Sequence, residues 1–234
     1  MSKKFAVFDI DGTLIRWQLY HAIVDKLADR GLLGKDAKSQ LKKARATWKN
    51  REHREAFAQY EKVLIRVYES ALGELDPKEF DQLVDKVINQ YKDQVYTFTR
   101  DLLLDLKNQG YFLLAISGSH QELVEKLATY YKFDDYIGTR YERSENKFSG
   151  QKNVPSFDKA AVLKQMAKKH GLSLKESYGV GDSNSDASML ELVASPIAFN
   201  PDGKLFDIAR KKGWQIIVER KNVVYQLDSK NRTW

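Results

Sequence analysis

The chain contains no cysteine, which removes disulfides and thiolate metal sites together and suits a reducing cytoplasm. It has no apolar stretch long enough to span a bilayer, and Met1 to Lys4 lead straight into a strand pattern rather than a signal peptide. A cytoplasmic protein with no membrane partner is therefore expected. Internal repeats and low-complexity segments are also missing. Acidic charge is in relative deficit, giving a formal net charge of +7. Much of the excess lies between Lys35 and Arg54, where only Asp36 and Glu52 oppose the basic residues. Lys38, Lys42, Arg45 and Lys49 fall on one helical face, opposite Leu41, Ala44 and Trp48. A solvated helix face is the first explanation, attraction of an anionic substrate the second. Nucleic-acid binding comes last, because no nucleic-acid motif accompanies the charge.

A chain of 234 residues can bury a sizeable core and hold one domain plus an insertion. Strand-like runs recur at Phe5 to Asp9, Tyr111 to Ser117, Tyr136 to Thr139, Ser177 to Gly181, Ser195 to Phe199 and Trp214 to Val218. Amphipathic helical patterns separate them, such as Leu123, Val124, Leu127 and Tyr131. The alternation predicts an α/β fold: a Rossmann-like, doubly wound, mainly parallel sheet. The interval from Leu14 to Arg100 is far longer than a crossover needs and reads as helical throughout, with Asp76-Pro77 opening one helix. It predicts an inserted all-helical cap domain over 15–97, with 1–14 and 98–234 as the core and hinges at 11–16 and 95–101. Residues 139 to 158 read as a polar hairpin or irregular loop, and Asn222 to Leu227 as an added edge strand.

The most informative residues follow the first strand directly: Asp9-Ile10-Asp11-Gly12-Thr13. Two carboxylates two residues apart, at the end of a buried strand, sit where open α/β sheets place their ligands. Asp9 suits a nucleophile or metal ligand, while Asp11 can move a proton to or from a leaving group. The plainer reading is a strand-ending turn. A second acidic motif, Gly179-Val180-Gly181-Asp182-Ser183-Asn184-Ser185-Asp186, follows another strand-like stretch. Between the two lie Ser117, in Ile116-Ser117-Gly118-Ser119, and Lys159, in Phe157-Asp158-Lys159. Ser117 and the amides of Gly118 and Ser119, at an expected helix start, suit a phosphate oxygen. Lys152 and Lys164 stand nearby, so Lys159 is one of three lysines that can supply a point charge here.

This ordered set resembles the haloacid dehalogenase superfamily of phosphohydrolases, in the branch that contains phosphoserine phosphatases, over nearly the whole chain. The resemblance implies a phosphatase acting through an aspartyl-phosphate on Asp9, with Asp11 as general acid and base. It implies Mg²⁺ held by Asp9, the backbone carbonyl of Asp11 and Asp182, with Asp186 orienting Asp182. A helix-start acid is the structural alternative for Asp186. The distance of Lys159 upstream of the Gly-Asp motif also matches the family. The implied partner is a small phosphate ester, and nothing in the sequence specifies an oligomeric state.

Substrate identity is less legible. The phosphoserine enzymes carry a glutamate soon after the nucleophile motif to recognise the substrate's amino group; the matching residue here is Gln18, beside Trp17. A neutral amide supplies no charge for an ammonium, so a substrate other than phosphoserine is expected unless Asp25 or Glu61 takes over the contact. Phosphoserine phosphatase proper and a phosphomutase use the same residues. A receiver-type signalling module is a more distant alternative, and it would lack the large helical insertion.

Overall fold

Phe5, Ala6, Val7 and Phe8 are all fully buried, so the first strand is covered on both faces. Its sequence is accordingly a continuous apolar run rather than an alternating one. The computed structural model describes residues 3–144 and 147–227. In chain order the strands are β1 (Lys3–Phe8), β2 (Phe112–His120), β3 (Asp135–Ser144), β4 (Lys147–Asn153), β5 (Leu172–Gly181), β6 (Ser195–Phe199), β7 (Gln215–Arg220) and β8 (Val223–Leu227). The helices are α1 (Leu19–Asp29), α2 (Ala37–Lys49), α3 (Ala56–Ala71), α4 (Pro77–Tyr91), α5 (Thr97–Asn108), α6 (Gln121–Tyr130), α7 (Lys159–His170), α8 (Ala187–Leu190) and α9 (Gly203–Lys212). None of the described helices is long and apolar enough to cross a membrane.

The chain forms two compact units. One takes in the residues up to Gln18, Gln90–Thr139 and those from Val154 onward; the other comprises Leu19–Asn89 and Arg140–Asn153. The helical insertion thus divides at Leu19 and Asn89 rather than at 15 and 97. Ile15 bridges to both Asp11 and Val95, and Tyr96 N–H donates to Leu14 O at 3.0 Å, which ties both connecting segments into the sheet unit.

In the sheet unit β1 lies between β2 and β5, all parallel. From β1 the chain steps outward to β2 and β3, then returns to continue through β5, β6 and β7 on the other side. That reversal leaves a crevice beyond the carboxyl ends of β1 and β5, and Asp9 and Asp182 follow those two ends. β8 pairs antiparallel with β7, as expected from the apolar run at Asn222 to Leu227; residues 228–234 lie outside the described residues. Phe5, Val7, Leu114 and Ile116 share one buried cluster with Leu163 of α7, Leu190 of α8 and Leu205 of α9. The alternate residues serve the opposite face: Phe8 meets Phe133 edge-on at 6.0 Å, and Phe199 stacks on Phe98 of α5 at 5.8 Å.

The second unit packs α1 to α4 around Ile23, Tyr60, Leu64, Leu83 and Val84, all buried. Pro77 opens α4 at the predicted place. The polar stretch after Thr139 is a hairpin, with Arg140 opposite Asn153 and Tyr141 opposite Lys152; its Glu145-Asn146 lies outside the described residues. The basic face of α2 differs from expectation at Arg45. Its Nη2 donates to Asp25 Oδ1 at 2.5 Å, to Oδ2 at 2.7 Å and to Tyr60 Oη at 2.5 Å. An acid and a phenol on neighbouring helices hold a planar guanidinium better than water does, so Arg45 leaves the solvated face that Lys38, Lys42 and Lys49 occupy.

Candidate active site

Asp9 begins where β1 ends, and its N–H still donates to Val180 O of β5 at 2.9 Å. The sheet therefore fixes its backbone while its side chain turns into the crevice end. It is 5% exposed. Lys159 at the first position of α7 is buried too, and its Nζ donates to Asp9 Oδ1 at 2.6 Å and to Asp186 Oδ1 at 2.5 Å. Asp158 caps that helix by accepting from Ala161 N, which sets where α7 starts and so where Lys159 points. The two sequence competitors lie elsewhere: Lys152 pairs with Glu69 in the helical unit, and Lys164 is exposed.

Asp186 does more than begin a helix. Its Oδ2 accepts from Asp182 N–H at 3.1 Å and from Ser183 N–H at 3.0 Å, and it forms a capping box with Ser183. With Lys159 on its other oxygen, it locks the backbone of Asp182 and the position of the lysine at once. Carboxylate oxygens of Asp9, Asp182 and Asp186 come within 4.8 Å of one another. Burial, then the neighbouring carboxylates, raise Asp182 well above the ordinary range. Asp9 is pushed up to about 7 by burial against the opposing pull of Lys159. Lys159 is held above the usual lysine range because Asp186 and Asp9 outweigh its burial.

Asp11 stands apart from that cluster. Its Oδ2 accepts from Ser117 Oγ at 3.1 Å, and Ser117 Oγ in turn accepts from Ser119 N–H at 3.0 Å. Ser117, Gly118 and Ser119 do not open a helix as their sequence suggested. They remain in β2, where the register against β3 shifts between Ile116 and His120, and α6 begins only at Gln121. The local bond from Ser119 N–H to a side chain two residues back competes with a helical turn. Gly118 O accepts from Thr139 Oγ1 at 2.7 Å, which anchors this irregular strand end to β3. Trp17 and Gln18 are half-buried at the close of the turn after Gly12, whose N–H donates to Trp17 O at 3.2 Å.

Two supporting residues carry no role in the sequence reading. Thr13 Oγ1 donates to Asp182 Oδ1 at 3.3 Å, joining the two acidic motifs, and Thr99 Oγ1 on α5 fixes Thr13 by donating to its carbonyl at 2.8 Å. The adjacency of Thr13 to Gly12 was a signal for the first. Nothing in the spacing of Thr99 marks the second.

Comparison with known proteins bears on the fold and the family. The family model for haloacid dehalogenase-like hydrolases matches residues 6–191. A phosphoserine phosphatase of Mycobacterium tuberculosis is 28% identical over 226 residues, covering 90% of this chain and 69% of the relative. A histidinol-phosphatase of Neisseria meningitidis is 27% identical over 225 residues, covering 92% of this chain and 98% of the relative. Among solved structures, a phosphoserine phosphatase captured as a phospho-aspartyl intermediate analogue shares the fold at a TM-score of 0.65 and 22% identity, covering 95% of this chain and 96% of that one.

Proposed function

The chain belongs to the haloacid dehalogenase-like hydrolase family, and from that premise we propose that it is a Mg²⁺-dependent phosphatase that hydrolyses small phosphate monoesters through an aspartyl-phosphate on Asp9. The observation that carries this reading is the division of labour between two carboxylates on one strand end. Asp9 is bound to Lys159 beside Asp182, whereas Asp11 is turned to Ser117. Two acids with separate environments can take separate roles. The named relatives include phosphatases, and one of them has been captured as a phospho-aspartyl analogue.

The donor set fits a hard divalent cation. All three clustered groups are carboxylates, and their mutual repulsion in a buried site is what such an ion relieves. Asp9 and Asp182 would hold Mg²⁺, joined by the carbonyl of Asp11. Asp186 is saturated by Lys159 and three donors from Asp182 and Ser183, which suits a support better than a ligand. When bound, the ion neutralises charge on the phosphoryl oxygens.

The chain's own groups supply the remaining steps. Lys159 and Ser117 balance and orient the phosphoryl group. An Asp9 carboxylate oxygen attacks phosphorus, and the bond to the ester oxygen breaks. Asp11 gives its proton to the departing alkoxide, then takes one from the water that attacks the aspartyl-phosphate, so inorganic phosphate leaves and Asp9 is restored. A receiver-type module lacks an insertion like Leu19–Asn89, and a phosphomutase would return the phosphoryl group to its substrate. The deciding experiment is phosphate release from a panel of phosphorylated metabolites with and without Mg²⁺. Stoichiometric, Mg²⁺-dependent release supports hydrolysis; transfer without free phosphate, or no turnover of any ester, refutes it.

A further inference from the structure

The turn after Gly12 brings a second cation to the same end of the sheet as Lys159. Gly12 N–H donates to Ile15 O at 3.0 Å as well as to Trp17 O, so residues 12–17 fold back on themselves. Gly12 itself faces the Asp182 carboxylate at close range. Arg16 lies within this turn, and its own N–H donates to Gln94 O at 2.9 Å. Its guanidinium sits over the ring of Tyr96, 5.7 Å from the centroid.

Tyr96 is a fixed platform. Its ring meets Phe199 edge-on at 4.9 Å, and its hydroxyl is hydrogen-bonded to Asn200. Burial and then the Asp182 carboxylate raise the phenol's pKa, while Arg16 pulls it down; the aspartate and the guanidinium both act on one hydroxyl. Arg16 is exposed, and among the described residues no acidic side chain pairs with it. Arg30, Arg45, Arg100 and Arg143, by contrast, each hold a carboxylate. A guanidinium resting on an aromatic face keeps its in-plane N–H fork for a planar anion.

We propose that Arg16 determines specificity by taking up a carboxylate on the leaving alcohol of the substrate, which makes the substrate class phosphate esters of hydroxy acids. The inference rests on the phosphatase reading above. It agrees with Gln18, two residues further on, which gives an ammonium no charge partner.

Matched esters test it, with phosphate release measured in Mg²⁺ for phosphoglycolate against 2-hydroxyethyl phosphate. The native chain should show kcat/KM at least about 10-fold higher on the carboxylate ester. Arg16→Gln should cut the ratio between the two esters by roughly 10- to 100-fold, mainly through KM, the range expected for one lost charge-assisted contact. Arg16→Lys should restore part of the ratio, and Tyr96→Leu should lower it to an intermediate value. Equal losses on both esters, or no preference in the native chain, overturn the proposal and leave the phosphatase reading intact. Failure of the native chain to release phosphate from either ester, or from p-nitrophenyl phosphate, refutes the phosphatase reading instead.

Discussion

A Cβ placed on Gly12 would lie 2.2 Å from Asp182 Oδ2 and 2.9 Å from its Cγ. The backbone of Gly12 also has φ +80°, a conformation that L side chains rarely adopt. The two acidic motifs therefore meet at a point where no side chain fits between them. Gly12→Ala is expected to displace Asp182 and lower turnover by about 100-fold or more, since about 1 Å of misplacement costs that much. Steady-state kinetics and a thermal melt check it; activity within a few-fold of native would show that Asp182 can move aside freely.

Asp9→Asn should abolish turnover while the fold survives, because an amide neither attacks phosphorus nor balances Lys159. Asp11→Asn should slow an alkyl phosphate by about 10²–10⁴-fold, the usual range for general acid–base catalysis. With p-nitrophenyl phosphate, whose leaving group needs no proton, the first step should suffer much less. Rapid-quench measurement of the two phosphorylation rates separates the roles, and equal losses would count against Asp11 as the acid.

Mg²⁺ binding should be linked to proton release. Burial pushes Asp9 up to about 7, and a ligand carboxylate must be ionised. Affinity is expected to climb as pH rises through about 7, because Asp9 and Asp182 are both raised and both must be ionised to hold the ion. The sign follows from the raised value, since below it the ion must displace a proton. Calorimetry near pH 6 in two buffers of different ionisation enthalpy measures the number released. A pH-independent affinity between pH 5 and 8 would contradict the linkage, and full activity after exhaustive chelation would remove the metal from the mechanism.

Phosphoserine should be a poor substrate. Gln18 is neutral, and Asp25, an acid named as its substitute for an ammonium, already holds Arg45 through both of its oxygens. Leaving a buried charge unmatched costs about 3–5 kcal/mol, so kcat/KM on phosphoserine should fall well below that on phosphoglycolate. A clear preference for phosphoserine over every other ester would reject the idea.

Away from the site, Asp135 is held below the ordinary carboxylate range. Lys169, His170 and the Tyr136 N–H bind it strongly enough to outweigh its partial burial. A depressed carboxylate stabilises the fold above its unfolded pKa and loses that contribution as pH falls through the folded value. Asp135→Asn should therefore cost about 0.5–1 kcal/mol at neutral pH, a value discounted for solvent screening. The difference from the native protein should shrink steadily below pH 4. Denaturant melts at pH 7 and pH 3 compare the two, and an equal deficit at both would mean that packing, not charge, is lost.

Much of the candidate site is legible in the sequence, because its residues are local to strand ends. Asp9, Asp11 and Asp182 stand where apolar runs stop, and an apolar run long enough to be buried on both faces announces a central strand. Lys159 is preferred to Lys152 and Lys164 for its distance from the Gly-Asp motif, and it is the one of the three that is buried. Helical periodicity does not show where α6 begins, because the bond from Ser119 N–H to Ser117 Oγ keeps residues 117–119 out of the helix. Arg45 was misplaced for a related reason: its partners, Asp25 and Tyr60, lie 20 and 15 residues away, outside the reach of any helical repeat.

The sequence by itself determined the order of strands and helices and the identity of the acidic groups, since both follow from short-range pattern and residue chemistry. Tertiary structure alone decided which of those groups come together. The parallel neighbours β1 and β5 bring residues 9 and 182 to one crevice end, and α7 swings Lys159 between Asp9 and Asp186. Burial then shifts what the carboxylates can do, because desolvation and mutual repulsion act through distances that chain order does not encode.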